Sequence, residues 1–217
     1  MPEFSLNCRK CPRLARYLDR ARTAHPGYHA RPVAPFGANR PRLLVVGLAP
    51  GMHGANRTGR PFTGDHAGIL LYDTLHAFGL ANRAVSTGAG DGLKLVHCRI
   101  TNAVKCLPPE NKPTPAEVAR CNPYLEDEIA ALPRGAAILA LGVVAHDAVL
   151  MATSIRRGAF RFGHGARHEL PCGLLLYDSY HCSRYNTQTK RLTPEMFRSV
   201  VSAIARHLSS ACSIPQR

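Results

Sequence analysis

Residues 42–65 read RLLVVGLAPGMHGANRTGRPFTGD, and this stretch decides the fold of the chain. Its first part, Leu43 to Val46, is a run of apolar and β-branched residues, which is typical of a strand buried on both faces. At Gly47 the pattern changes to a loop of about 18 residues, and loops of that length usually carry function. Because ligands bind beyond the carboxyl ends of the strands in an open α/β sheet, the sequence predicts a binding loop at that edge.

Three further apolar runs follow this strand, and a segment with a helical pattern separates each run from the next. The predicted strands cover 43–46, 97–101, 136–141 and 174–177, and the predicted helices cover 67–78, 115–131, 143–151 and 194–208, after an N-terminal helix that ends near 24. Strands that alternate with helices indicate βαβ crossovers and a parallel sheet covered on both faces. We therefore expect an α/β fold, a three-layer α/β/α sandwich with a central four-stranded parallel sheet, in a single domain of residues 1–217.

Local signals mark the ends of some of these elements. Thr114 is followed by a proline and lies three residues before Glu117, which is the pattern of a capping box at a helix start. Thr193 is also followed by a proline and is predicted to cap the last helix. The segment 178–191 is predicted to be a loop, and residues 211–217 are predicted to be a loose tail.

The composition bounds the partners and the location. The chain carries 28 Lys and Arg residues against 14 Asp and Glu residues, a formal net charge of +14. A generally basic proteome would explain this excess, but so would a polyanionic partner, since Lys and Arg gain binding energy by releasing the counterions of phosphates. No apolar run reaches membrane-spanning length, and the N-terminus lacks the apolar core of a signal peptide. We therefore expect a cytoplasmic protein without a membrane partner.

The long loop lacks the common nucleotide-binding motifs. The dinucleotide fingerprint, G-x-G-x-x-G, is absent. Gly54 and Gly59 have the separation of a phosphate-binding P-loop, but Arg60 and Pro61 stand where that motif requires Lys and a hydroxyl residue. Without them the standard contacts to the terminal phosphates and to magnesium are lost. We therefore reject a nucleotide-dependent enzyme.

The cysteines form two spaced pairs. Eight cysteines in a chain without a leader indicate metal ligands and buried thiols rather than a disulfide framework. Two residues separate Cys8 from Cys11, and fourteen separate Cys106 from Cys121. Four thiolates suit either tetrahedral zinc or a [4Fe-4S] cluster, and spacing alone does not distinguish them; two unrelated pairs of buried thiols are the structural alternative. The other four are predicted to be buried as small hydrophobes: Cys98, Cys172, Cys182 and Cys212.

The loop of residues 47–65, GLAPGMHGANRTGRPFTGD, resembles the first motif of the uracil-DNA glycosylase superfamily. It is similar in particular to family 5, the type-b enzymes, whose loop has the form GLAPAAHGGNRTGRxFTGD. The segment YHCSRYNTQTKRLTP, which begins at Tyr180, is similar to the second motif of that family, HPSRxNTxTGRLT. The differences from the family are Gly51, Met52, Cys182 in place of Pro and Lys190 in place of Gly.

This resemblance implies a monofunctional DNA glycosylase that flips uracil out of double-stranded DNA and hydrolyses its N-glycosidic bond. In family 5 the substrates often include hypoxanthine, xanthine and ethenocytosine. The resemblance also implies a [4Fe-4S] cluster on the four paired cysteines, with zinc as the alternative, which would tie residues 1–24 to the rest of the domain. We expect a monomer that acts on damaged duplex DNA at the nucleoid and leaves an abasic site.

The same resemblance assigns roles to side chains at the carboxyl ends of the predicted strands. Phe62 would stack on the flipped base, and Asn102 would pair with the base edge. His181 would donate a hydrogen bond to the base O2 as negative charge develops there. Asp65 would activate water or stabilise the positive charge on the sugar, and Ala49 would contact the base.

Four residues that follow His181 are predicted to contact DNA. They are Ser183, Arg184, Tyr185 and Asn186. In this superfamily the corresponding loop enters the minor groove and fills the space left by the flipped base. An Arg or a Tyr there would wedge into the duplex and stack on its bases. A solvated loop without a partner is the alternative.

Each candidate residue also has a purely structural alternative. Phe62 would serve as a core residue under the loop, Asn102 as a turn residue and Asp65 as a helix N-cap. One carboxylate seldom both caps a helix and takes part in catalysis. A non-catalytic, metal-stapled nucleic-acid-binding module would explain the charge and the cysteines. It would not require the expected catalytic residues, Asp65, Asn102 and His181, to converge with Phe62 on one cavity.

Overall fold

The computed structural model describes residues 4–210. These residues form a six-stranded sheet with helices on both faces. The strands are β1 (Phe36–Gly37), β2 (Leu43–Gly47), β3 (Cys98–Asn102), β4 (Ala137–Leu141), β5 (Arg167–Glu169) and β6 (Leu175–Ser179). The helices are α1 (Pro12–Ala24), α2 (Ala55–Thr58), α3 (His66–Ala77), α4 (Pro115–Ala130), α5 (Val143–Ala152), α6 (Arg184–Gln188) and α7 (Pro194–Ser210). This arrangement confirms the predicted three-layer α/β/α sandwich.

The sheet is larger than predicted. Its strand order is β1-β3-β2-β4-β6-β5, and the four central strands run parallel, as expected. The outer strands β1 and β5 are antiparallel to their neighbours, so the sheet has six strands rather than four. Both additions are too short to show an apolar pattern, and β5 consists of Arg167, His168 and Glu169. Charged residues are common on edge strands because they discourage pairing with another chain.

Alternate residues of the central strands pack on opposite faces of the sheet, as the two-residue period of a strand requires. Leu44 and Val46 of β2 belong to the core under α1, α4 and α5. Leu43 and Val45 belong to the core under α3 and α7. All four side chains are fully buried, so β2 is covered on both sides, as its apolar sequence predicts.

The predicted helix starts are confirmed at α4 and α7. The Glu117 backbone N–H donates to Thr114 Oγ1 over 3.3 Å, and the Thr114 backbone N–H donates to Glu117 Oε2 over 2.8 Å. At α7, the Met196 backbone N–H donates to Thr193 Oγ1 over 3.2 Å. These caps satisfy backbone donors that the first turn of a helix leaves without partners.

Two other expectations about chain ends and loops have different outcomes. The predicted loop at 178–191 contains the short helix α6, because Ser183 supplies an N-cap at that point. The tail predicted at 211–217 lies outside the described residues. Within residues 4–210, no helix is both long and apolar enough to cross a membrane.

Candidate active site

The carboxyl ends of β2 and β3 meet at Gly47 and Asn102, which are partners in the parallel register. A Cβ atom at position 47 would lie 2.5 Å from Asn102 Oδ1 and 2.7 Å from Phe62 Cζ. Both distances are shorter than van der Waals contact, so only a glycine allows the amide and the ring to approach this strand end. Asn102 and Phe62 are both buried beside it.

Phe62 is held in a strained backbone conformation. Its φ of +56° lies in the left-handed region, which is unusual for a bulky residue. Helix α3 packs tightly against it, because a Cβ atom at Gly68 would overlap the Phe62 carbonyl oxygen. Tyr72 Oη donates a hydrogen bond of 2.7 Å to the carbonyl of the preceding Pro61. Such strain persists only where the surroundings enforce it, and it is typical of functional sites.

A cleft of about 660 Å³ opens beside this edge of the sheet. Ala49 and Asp65 line it from the first motif, and His181 lines it from the second. The His181 ring stacks on the Phe62 ring, with centroids 5.8 Å apart and planes 27° apart. Phe62 and Asn102 lie deeper and are covered. The structure therefore brings the four predicted side chains to one edge, with His181 joining the cleft to the buried pair.

The two carboxylate oxygens of Asp65 have different surroundings. Oδ1 accepts a hydrogen bond of 3.2 Å from the Gly68 backbone N–H and so caps α3. Oδ2 faces the first-motif loop, where a Cβ atom at Gly54 would overlap it and one at Gly51 would lie 3.8 Å away. Burial raises the pKa of the Asp65 carboxyl, and the backbone N–H groups of Gly68 and Ala67 act against this. Asp65 therefore does cap α3, as the structural alternative requires, yet one of its oxygens still borders the cleft.

His181 is a neutral hydrogen-bond donor. Burial lowers the pKa of its imidazole to about 4, so the ring carries no charge at neutral pH and retains one N–H. Its backbone is fixed by Asn186, whose Nδ2 donates to the His181 carbonyl over 2.8 Å. Gly142, which follows β4, approaches from the other side, where a Cβ atom would lie 3.8 Å from His181 Cβ.

Helix α6 carries the residues that are predicted to contact DNA. Ser183 Oγ accepts from the Asn186 backbone N–H over 3.3 Å and caps the helix. Arg184 is exposed and lines the cleft, and Tyr185 is 70% exposed. Asn186 differs from these two, because its amide group is used within the loop to hold His181. Arg184 and Tyr185 therefore extend into solvent on the helix beside the cleft.

Two residues that line the cleft, Asn111 and His53, were not among the predicted site residues. Asn111 Oδ1 lies 4.0 Å from a Cβ atom placed on Gly51, and Asp65 Oδ2 lies 3.8 Å from the same point, so both groups border one space. Asn111 has a φ of +56°, and the preceding Glu110 a φ of +54°. Asn tolerates this left-handed conformation better than most residues. No motif marks this residue, which lies in the proline-rich stretch between Cys106 and Thr114.

The four paired cysteines line one pocket between α1, the segment after β3, and α4. Burial raises the pKa of the Cys106 thiol, and the other three thiols raise it further. The Lys105 backbone N–H donates to Cys121 Sγ over 3.4 Å, and Tyr124 Oη donates to Cys8 Sγ over 3.6 Å. Neighbouring thiolates repel one another, and a bound metal group removes that cost. The donor set therefore fits such a group, and its members are Cys8, Cys11, Cys106 and Cys121.

The remaining cysteines have mixed outcomes. Cys98 and Cys182 are fully buried, as predicted. Cys172 is exposed, which corrects the prediction that it is buried. It lies in the turn between β5 and β6, where the chain leaves the sheet and offers no core to enter. Cys212 lies outside the described residues.

A buried histidine–carboxylate network lies near the carboxyl end of β6, three residues before His181, and was not predicted. His146 Nδ1 lies 2.8 Å from Asp178 Oδ1, and His146 Nε2 lies 3.2 Å from the Phe160 carbonyl. Asp178 Oδ2 lies 3.2 Å from His168 Nε2. The ligand-type atoms of these three side chains lie within 4.8 Å of one another. Both ring nitrogens of His146 face oxygen acceptors, so the protonated ring can donate at both.

We expect Asp178→Asn to lower stability by about 3–5 kcal/mol, the usual cost of removing one partner of a buried ion pair. Burial alone would lower the pKa of His146, but the hydrogen bond and charge of Asp178 raise it above the ordinary 6.5. Stabilisation by this pair is therefore complete below pH 6.5 and is lost as pH rises through the raised pKa. The difference in melting temperature between wild type and variant should be larger at about pH 6 than at about pH 9. Equal differences at both pH values would contradict a charged His146.

Comparisons with known proteins agree on one family. Residues 34–205 match the model of the uracil DNA glycosylase superfamily. The type-5 uracil-DNA glycosylase of Thermus thermophilus is 47% identical over 205 residues, which cover 92% of this chain and 93% of that protein. The type-5 enzyme of Mycobacterium bovis is 46% identical over 201 residues, covering 89% and 75%. That of Pyrobaculum aerophilum is 40% identical over 204 residues, covering 92% and 88%.

Proposed function

Because the chain belongs to the uracil-DNA glycosylase superfamily, with the type-5 enzymes, and is a hydrolase acting on N-glycosyl bonds, we propose that it extrudes a damaged base from duplex DNA before cleaving that bond. The observation that carries the proposal is the convergence of Phe62, Asp65, Asn102 and His181 on one edge of the sheet. A target atom inside a stacked duplex is out of reach of buried groups, so the nucleotide must leave the helix first. Because the chain belongs to a family of enzymes, we reject the alternative of a non-catalytic module.

The environment of each of these residues suits it to one step of the reaction. We assign the Phe62 ring to stacking on the base and the Asn102 amide, with its donor and acceptor, to the base edge. Both side chains are covered, so the site must open for a base to reach them. His181, neutral because of burial, donates to the departing base as negative charge grows on it. A neutral donor supplies this help without adding a proton to the base. Asp65 Oδ2, on the cleft side, orients water or stabilises the positive sugar.

We propose that the substrates extend beyond uracil to hypoxanthine, xanthine and ethenocytosine. The space between Asp65 Oδ2 and Asn111 Oδ1 supports this breadth, because Gly51 places no side chain in it. The open cleft of about 660 Å³ is ample for a nucleobase of either size. A site that recognises the base through one amide and one imidazole makes few demands on the ring system.

For the cysteines, we propose a [4Fe-4S] cluster on Cys8, Cys11, Cys106 and Cys121, with zinc as the alternative. The convergence of the four thiols on one pocket and the N–H and O–H donors to their sulfur atoms support a metal group there. The group would supply a structural crosslink, which joins α1 to α4 and to the segment after β3. The cysteine pocket shares no lining residue with the cleft, so we assign the metal group no step in base removal.

We propose that Tyr185 on α6 enters the duplex when the base leaves it. The supporting observations are its 70% exposure and the position of the neighbouring Arg184 at the cleft. Tyr185→Ala should slow excision from duplex DNA about 10-fold, since stacking of an aromatic ring on a base contributes about 1–3 kcal/mol. Excision from single-stranded DNA, where there is no duplex to open, should be unchanged. A variant equally slow on both substrates would argue against a wedge.

The function is tested by incubating the purified protein with duplexes that each carry one uracil, hypoxanthine, xanthine or ethenocytosine. Base release should leave an abasic site, so strands should break only after alkali treatment. Uracil should be cleaved, and at least one of the other bases should be cleaved measurably above an undamaged duplex. Cleavage of uracil alone would contradict the broad substrate range, and strand breaks without alkali would contradict a monofunctional enzyme.

A further inference from the structure

Lys105 is a buried cation that the proposed chemistry does not use. It is 2% exposed, although lysine is rarely buried unless it is paired. Its Nζ donates to the Asn102 carbonyl over 2.9 Å and to Glu128 Oε1 over 2.6 Å, and it also donates to the hydroxyl of Thr101. An ammonium group has three donors, and these three partners use all of them. The side chain therefore acts through its neighbours and has no donor left for a ligand.

The contact with Asn102 lies at the end of β3, where the next peptide N–H, that of Ala103, still donates to the Gly47 carbonyl over 2.9 Å. Asn102 is the last residue of β3, and its register partner Gly47 has no side chain to hold the amide. The peptide group between Asn102 and Ala103 is therefore held at both ends, by the Gly47 carbonyl at its N–H and by Lys105 at its carbonyl oxygen. The charge-assisted hydrogen bond from Lys105 thereby helps to hold the backbone from which the Asn102 amide, buried beside Phe62, projects.

The other contacts of Lys105 connect this point to the cysteine pocket. Its backbone N–H donates to Cys121 Sγ, and Cys106 follows it in the chain. Glu128, the counter-charge, lies on α4, the same helix as Cys121. The single residue Lys105 therefore contacts the cysteine pocket, α4 and the end of β3.

We propose that Lys105 is a positioning residue for base recognition, whose ammonium group, balanced by Glu128, keeps the Asn102 amide directed at the base. The inference rests on the proposed role of Asn102 in contacting that base. It adds a requirement that neither motif contains: the lysine must be buried and charged three residues after the residue that it positions.

The test is a double-mutant cycle on the single-turnover rate of uracil excision from duplex DNA. Lys105→Met, which keeps the length of the side chain and removes its charge, should slow excision about 10- to 100-fold, because a small misplacement of a positioning group is costly. Asn102→Ala should be slower still. Lys105→Met added to Asn102→Ala should cause no further loss, because the lysine acts through the amide that is already absent.

Two further variants separate positioning from general destabilisation. Lys105→Met combined with Glu128→Gln removes both charges of the Lys105–Glu128 pair. It should recover part of the lost stability without recovering the rate, since Arg99 also loses Glu128 as a partner at 3.9 Å. Glu117 lies on α4, the helix that carries Glu128, and Glu117→Gln breaks its half-buried ion pair with Arg13 of α1 without touching Asn102. It should lower the melting temperature and leave the excision rate constant within about threefold of wild type. Metal content per protein is measured for every variant.

The outcomes distinguish this inference from the proposed function. Wild-type protein that releases no uracil would overturn the function itself. If wild type is active and Asn102→Ala is slow, a wild-type rate for Lys105→Met would overturn the positioning role alone. Losses from Lys105→Met and Asn102→Ala that multiply would also overturn it, because independent effects indicate that the lysine supports the fold rather than the amide.

Discussion

The single-turnover excision rate of Asp65→Asn is expected to fall about 10²- to 10⁴-fold below that of wild type, with little change in melting temperature. Asparagine is as good an N-cap as aspartate, and its oxygen can still accept from the Gly68 backbone N–H. It replaces the second oxygen, which borders the cleft, by an amide nitrogen without the charge to orient water or stabilise the sugar. The substitution therefore separates the capping of α3 by Asp65 from its proposed catalytic role. Rates are measured on a duplex with one uracil, and stability by thermal unfolding.

Asp65→Ala is the matched control for this prediction. It removes the cap as well as the charge, so it should lower stability by about 1 kcal/mol while its rate stays close to that of the asparagine variant. A different pattern would change the assignment. If Asp65→Asn excised uracil at the wild-type rate while Asp65→Ala unfolded more easily, Asp65 would be a helix cap and no more.

The largest loss of stability is expected from Cys106→Ser. Removing one ligand of a structural metal group should lower the free energy of unfolding by about 4 kcal/mol or more, because α1 is then no longer fastened to α4. The variant should also lose the broad visible absorption of an iron–sulfur cluster. Chemical denaturation and measured iron content check the two parts separately.

Cys172→Ser is the control for the cysteine prediction, because Cys172 is exposed and belongs to no pair. It should keep the stability, colour and iron content of wild type. A colourless wild type with one zinc per chain would support zinc instead of the cluster. A Cys106→Ser variant as stable as wild type would contradict a structural metal group of either kind.

The buried strands were predictable, and the edges of the sheet were not. The four central strands are apolar because they are covered on both faces, and this composition is visible in the sequence. Strand β5 reads Arg-His-Glu, and β1 has two residues. Both are strands only because a neighbour presents open hydrogen-bonding groups, which is a tertiary fact that a local pattern does not contain.

The candidate site was predicted through its motifs, and its supports were missed. Phe62, Asp65 and His181 fall inside stretches with a recognisable pattern, whereas Lys105 and Asn111 lie outside both motifs, between β3 and α4. The partners of Lys105 include Glu128, 23 residues away in the chain. Pairings over such distances depend on how the helices pack, so residue type and spacing do not indicate them.

Asp65 shows a different limit of sequence analysis. A carboxylate at the first position before a helix is what both a cap and a cleft-facing catalytic group require, so the two interpretations predict the same residue. Only the coordinates separate them, by assigning Oδ1 to the Gly68 N–H and Oδ2 to the space near Gly51 and Gly54. The sequence had suggested a choice between the roles, and the geometry accommodates both.

The most direct measurement is a crystal structure of the protein with a duplex that contains one uracil on a 2′-fluoro sugar, which resists hydrolysis. We expect the uracil outside the helix, stacked on Phe62, with the Asn102 amide and a His181 ring nitrogen within about 3.2 Å of its polar edge. Asp65 Oδ2 should face the sugar C1′. A uracil that remains paired, or that occupies a pocket away from these four side chains, would contradict the account.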